Sequence, residues 1–214
     1  MHVLLKREGW CCNRKRVQRL WRDERLPRRT RRRKRAARTP GSVTANRPDQ
    51  VWALDYLFDQ TADGRPIKIL NVTDEHTREA LACIAARSIN ADQTVDVLEN
   101  LVETRGRAPA YIRSDNEPEL VGETLRDWCR FSGTSPSYIE PGAPWQNPYV
   151  ESFNGHLRRE LLELESFNSL YEAQILIQDW RHEYNTYRPH QSLSYQTPAA
   201  FAHHWHAQNQ PAHS

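Results

Sequence analysis

The chain has 214 residues, 38% of them hydrophobic, and a formal net charge of +3, which suits one substantial core of catalytic size with small appendages. It carries no apolar run long enough for a membrane span, no signal peptide, and four cysteines (Cys11, Cys12, Cys83, Cys129) without a C-x-x-C pair or disulfide pattern; this excludes membrane-spanning and disulfide-stapled secreted classes and points to a reducing cytoplasm. The small net charge conceals a division, since residues 1–40 hold 16 Lys/Arg against 3 Asp/Glu, a balance of +13, and residues 41–214 hold 14 against 24, a balance of −10.

Residues 2–8 read as a short helix stopped by Gly9. Asn13 is a good N-cap for a second helix, in which Val17, Leu20 and Trp21 recur at helical spacing while Arg14, Lys15, Arg16, Gln18, Arg19 and Arg22 cover the other faces. The pair resembles part of a helix-turn-helix. Polar partners for so many arginines are otherwise missing, which favours Arg14, Lys15, Arg16 and Arg19 as DNA contacts over a basic helix packed on the main domain. The run Arg28 to Arg35, with Arg31, Arg32 and Arg33 at its centre, repels itself and reads as an extended arm that neutralises phosphates. The expected organisation is a basic helical segment and arm over 1–40, a linker over 41–49 marked by PGSVTANRP, a catalytic core over 50–202 and a tail over 203–214. His203, His204, His206 and His213 fall in that tail and are not expected to bind metal.

Val51 to Phe58 is apolar on both faces of a period-two pattern, as in a central strand, and Asp55 is the one charge inside it. Strand-like runs at Ile67 to Thr73 and Ala80 to Ala85 precede a helix at Thr94 to Thr104, which suggests an antiparallel meander entering a mixed sheet. Ala110 to Ser114 is a further strand ending on Asp115. A helix over Glu123 to Phe131 and a short strand near Ser137 to Ile139 follow. Asn147 then caps a helix that begins with Pro148. Val150, Phe153, Leu157 and Leu161 form its buried stripe, and Glu151, Asn154 and Arg158 share another face.

An Asp at a strand end commonly serves a turn, and a Glu in a helix's first turn commonly answers the dipole. Asp55 is different, because its charge lies inside an apolar strand with no Lys or Arg in the run to match it. Three carboxylates able to meet at one point favour a divalent cation over a packed core.

The motifs WALDYLFD, VTDEHTRE, YIRSDNEPE, PGAPWQNPYVESFNGHLRREL and WRHEYNTYRPHQSLSYQTPAAFA resemble the second-frame protein (OrfB) of insertion-sequence transposases of the IS-three family, from about Trp10 to Phe201. The 35 residues between Asp115 and Glu151 match the family's interval. The resemblance implies an α/β, ribonuclease-H-like mixed sheet flanked by helices, with a retroviral-integrase-like core. It makes Asp55, Asp115 and Glu151 both the catalytic triad and the metal ligands, with Arg158 as the basic residue seven positions later. The implied activity is metal-dependent DNA nicking and strand transfer. It uses two Mg²⁺ ions per site, with Mn²⁺ able to replace them, to favour deprotonation of water or a 3′-hydroxyl and to stabilise the departing oxygen.

Trp145, Gln146 and Asn147 are expected to touch DNA beside that site, Trp145 being equally suited to ordinary core, and Asn116 is expected to orient the DNA phosphate or a metal-bound water. Expected partners are the element's terminal repeats and target DNA, further copies of the chain on DNA, and an upstream-frame protein as fusion or partner, in a bacterial, nucleoid-associated setting without a membrane. Two departures from the family pattern stand out. Glu117 replaces the usual Gly after Asn116, removing the residue best suited to positive φ and adding a fourth acid. The N-terminal segment is also short. The competing readings are an impaired copy that only binds element ends, and a ribonuclease H or repair nuclease on the same fold.

Overall fold

A strand that is apolar on both faces belongs at the centre of a sheet, and residues 51–60 occupy that place. The computed structural model describes residues 1–26, 43–115, 117, 120, 122–139 and 147–209. β1 (Val51–Gln60) pairs antiparallel with β2 (Pro66–Asp74) and parallel with β4 (Tyr111–Ser114). β3 (Ala80–Ala86) continues the antiparallel side and β5 (Ser135–Tyr138) the parallel side, giving the order β3-β2-β1-β4-β5. The meander turns from β1 to β2 through Gly64, whose φ of 79° suits a residue without Cβ. Its longer crossover to β4 is α3 (Ala91–Arg105), opened by a reciprocal capping box between Asn90 and Gln93.

Strand alternation divides the core in two. Trp52, Leu54 and Tyr56 of β1, with Leu70 and Val72 of β2, pack against Leu98 of α3 and against Leu125, Trp128 and Cys129 of α4 (Glu123–Ser132). The opposite face, with Leu57, Ile67 and Ile69, packs under Phe153 and Leu157 of α5 (Pro148–Leu157) and Ala173, Ile177 and Tyr184 of α6 (Leu170–Thr186). Phe153 is 1% exposed and meets Tyr184 edge-on at 4.8 Å, which holds α5 down on the sheet. A π-helical turn, Arg158–Leu162, extends α5 and allows consecutive Leu161 and Leu162 both to face inward. Asp55 belongs to the α5-facing side of β1.

Three expectations change. α2 (Arg14–Asp23) follows α1 (His2–Arg7) and is capped by Asn13 as expected, but it has no buried residue and Leu20 is exposed. The two helices are tied to the core by Arg7, which donates to the Tyr187 and Tyr195 carbonyls at 3.0 Å each. β5 begins two residues earlier than the pattern suggested, because its pairing with β4 starts at Tyr111↔Ser135. The stretch read as a tail is largely α7 (Pro198–Asn209), which carries His203, His204 and His206; His213 lies outside the described residues. All four cysteines are free thiols.

Candidate active site

The parallel register sets the first two acids side by side. Ala53 pairs with Arg113, so two residues further along each strand Asp115 comes level with Asp55, and by alternation on the same face. β4 ends at Ser114, leaving Asp115 just beyond the ladder. Its side-chain Oδ1 accepts from the Glu117 backbone N–H at 3.1 Å, and that turn brings a third carboxylate back towards the strands. Asp55, Asp115 and Glu117 each present one oxygen, and the three oxygens lie within 4.8 Å of one another. A set of hard oxygen donors at this spacing, each half-buried, fits a hard divalent cation.

Glu151 stands outside that group of three. It occupies the first turn of α5, half-buried, and its charge reaches Asp55. Burial is the main force on Asp55 and, with the charges of Asp115, Glu117 and Glu151, pushes its carboxyl up to about 7; the Tyr56 N–H, donating to Oδ1 at 3.0 Å, acts in the other direction. The other Asp55 oxygen accepts from Asn154 Nδ2 at 2.7 Å, and Asn154 Oδ1 accepts from Asn71 Nδ2, also at 2.7 Å.

The start of α5 differs in detail from the sequence expectation. Asn147 occupies the N-cap position, but its side chain makes no capping bond; Nδ2 donates to the Leu54 carbonyl at 3.3 Å, tying the helix start to the residue before Asp55. Glu151, Asn154 and Arg158 do not share one environment, since Asn154 is buried and Arg158 is exposed. Arg14, Lys15, Arg16 and Arg19 are all exposed on α2. Arg31, Arg32, Arg33, Asn116, Trp145 and Gln146 lie outside the described residues.

Glu117, a fourth acid next to the motif in the sequence, takes its place among the oxygens, whereas Asn71 lies outside every residue singled out above. The available signal for Asn71 was the one that marked Asp55, a polar side chain inside an apolar strand, ILNVT. Arg113 supports the same end of β4. It is 7% exposed, bonds Glu75 at 2.5 Å and donates to the Val43 carbonyl at 2.6 Å.

Residues 45–144 match one integrase core domain family and residues 132–198 a second, also described as integrase core domain. An uncharacterized 31.7 kDa protein of insertion element IS407 from Burkholderia multivorans is 35% identical over 204 residues, covering 94% of this chain and 73% of that protein. The chain belongs to the integrase-core transposases of insertion sequences. An uncharacterized 39.2 kDa protein of insertion element IS476 from Xanthomonas euvesicatoria is 37% identical over 206 residues, and the transposase chain spans 94% of itself and 59% of that relative. The fold is that of the retroviral integrase catalytic core, with a ribonuclease-H-like sheet. The HTLV-2 integrase core solved with magnesium superposes with a TM-score of 0.58 at 16% identity, over 75% of this chain and all of that one. The BIV integrase core gives 0.53 at 16%, over 76% of this chain and 99% of that one. Among the described residues of the transposase, no helix is long and apolar enough to cross a membrane.

Proposed function

We propose that this transposase nicks and joins DNA at insertion-sequence ends through a divalent-metal site built from Asp55, Asp115 and Glu151, with Glu117 as an added acidic neighbour. The observation that carries the reading is the meeting of Asp55 and Asp115 oxygens, with that of Glu117, within 4.8 Å, beside a helix bonded to Asp55. Mg²⁺ or Mn²⁺ bound there, two ions in the full reading, supplies Lewis-acid polarisation of a phosphodiester. The chain's own part is positional. β1 and β4 hold two carboxylates at adjacent strand positions, α5 carries Glu151, whose charge reaches Asp55, and exposed Arg158 offers a cation to the phosphate backbone. Asn116, Trp145 and Gln146, next in sequence to Asp115 and to the start of α5, are proposed to contact DNA, while Asn147, 3% exposed, holds the helix start through its bond to the Leu54 carbonyl. Association of several copies on DNA, and action with an upstream-frame protein inside the bacterial cytoplasm, belong to the same reading.

The test is strand transfer in vitro with Mg²⁺ and the element's own ends. Asp115→Asn and Glu151→Gln are each expected to abolish nicking and joining while leaving DNA affinity within about twofold, because ligands are lost but shape is kept. Near-normal joining by either variant, or turnover in chelator, would end the triad assignment. Binding without turnover by the unmodified chain would identify it as a DNA-binding remnant.

Glu117→Gly tests the fourth acid. Loss of an oxygen beside Asp55 and Asp115 is expected to raise the Mg²⁺ concentration for half-maximal joining several-fold. A lower requirement would mean that the Glu117 charge hinders metal entry.

Removal of residues 1–40 addresses the basic segment. DNA affinity should fall, and the slope of log K against log salt should become shallower by about 0.9 for each phosphate no longer neutralised. An unchanged slope would mean that α2 and the arm do not touch DNA.

A further inference from the structure

We propose that Asn71 and Asn154 form a two-amide relay that positions Asp55 and locks the Glu151-bearing helix to the sheet. The inference rests on the metal-site reading above and concerns how this chain holds its first ligand.

Asn71 is 0% exposed and Asn154 is 7% exposed. Asn71 lies on β2 directly across from Asp55 in the antiparallel register, on the face covered by α5, with Ile69 as its same-face neighbour. Buried amides cost free energy unless bonded, and an aliphatic side chain in β2 would serve folding better. Asn71 even leaves its Oδ1 buried with no partner among the described residues. Among the described residues its side chain makes one bond, from Nδ2 to Asn154 Oδ1.

That bond fixes a direction. An amide has one donor end and one acceptor end. With Asn154 Oδ1 engaged by β2, its NH₂ end is turned to Asp55 Oδ2. Reversal would set Asn154 Oδ1 against the carboxylate, acceptor to acceptor. Asp55 is thereby anchored at both oxygens, one by the Tyr56 backbone and one by the relay.

The relay also sets where Glu151 stands. Asn154 is three residues beyond Glu151, one helical turn along α5, so its bond to β1 fixes the depth and rotation of that helix. Asn147 makes the second tie, from the helix start to the carbonyl of Leu54. Asn71 and Asn154 are positioning residues, since neither needs to touch metal or DNA.

The experiment titrates Mn²⁺ into the full chain by calorimetry and records thermal melts of the same samples. Asn154→Leu should weaken Mn²⁺ affinity about 10- to 100-fold, the usual effect of removing a group that orients a ligand. Asn71→Leu, of similar volume and without the orphaned oxygen, should weaken affinity several-fold with no fall in melting temperature. A merely structural Asn71 would instead lower the melting temperature and leave affinity alone. The double variant should match Asn154→Leu alone, because Asn71 acts only through Asn154.

Additive effects in the double variant would overturn the relay, as would Mn²⁺ affinity within twofold of the unmodified chain in Asn154→Leu. If Asn154→Leu does not fold, Asn154→Ser carries the same comparison, being polar but too short to bridge Asn71 and Asp55. Asp55→Asn separates the two levels. If it leaves Mn²⁺ binding intact, the metal-site reading fails and the relay with it; if it abolishes binding while the Asn154 variants do not weaken it, only the relay fails.

Discussion

Asp55→Asn is expected to abolish strand transfer while making the metal-free protein more stable at pH 8. The carboxyl is pushed up from 3.8 to about 7 by burial and by Asp115, Glu117 and Glu151. The folded state therefore holds a proton that the unfolded chain releases near pH 4, so this group's contribution to stability is present below that value and is lost as pH rises through 7. Linkage at 1.36 kcal/mol per unit caps the penalty at about 4 kcal/mol, and screening over the half-exposed carboxylate lowers it to about 2–3 kcal/mol. The amide forfeits one acceptor, costing about 1 kcal/mol. A net gain of about 1–2 kcal/mol would raise the melting temperature by about 2–8 °C at pH 8 and by little at pH 4. Activity should fall on the order of 10³-fold or more. Melts in chelator at both pH values, beside a strand-transfer assay, decide the matter: equal shifts at the two pH values would remove the electrostatic account.

Arg113→Met is expected to be among the most destabilising changes on the sheet. It strips the hydrogen-bonded cation from Glu75, which is 1% exposed and already pushed up to about 7 by burial despite Arg113. Below pH 7 the folded variant can keep Glu75 protonated, and the loss is confined to packing and hydrogen bonds, about 1–2 kcal/mol. The variant holds that proton to higher pH than the unmodified protein, so its deficit widens above pH 7 towards about 3–5 kcal/mol. Adding Glu75→Gln should recover most of the widening. Denaturant unfolding at pH 6 and pH 8.5 measures both effects, and a deficit independent of pH would show that the ion pair is not the source. Because Arg113 precedes Asp115 by two residues, joining activity should fall before the fold does.

Much of this arrangement was legible in the residues. The double-faced apolar run around Asp55 predicted a central strand, the order of strands and helix predicted a mixed sheet, and Pro148 after Asn147 marked the start of α5. These are local signals, set by alternation and capping. What escaped was tertiary. Asn147 has a cap residue's identity, yet its amide found the Leu54 carbonyl, a partner 93 positions away. Leu20 repeats at helical spacing, yet it is exposed, and Val17 and Trp21 of the same stripe are only half-buried. Glu117 joins Asp55 and Asp115 only because the turn after β4 folds back, and Asn71 matters only because α5 lies across it.

The sheet's connectivity also dictates when the site can exist during synthesis. β1, β2 and β3 pair with their chain neighbours and can form as soon as residue 86 is free, since short loops close at little entropic cost. The bond from Asn154 to Asp55 spans 99 positions, and α5 packs on the sheet with α6 behind it. A nascent chain thus carries an acid-bearing meander for the time it takes to make about 70 more residues, about 4–14 s at ordinary elongation rates, before α5, which bears Glu151 and Asn154, arrives. Assembly of the Asp55 environment is thereby postponed until α5 has left the ribosome.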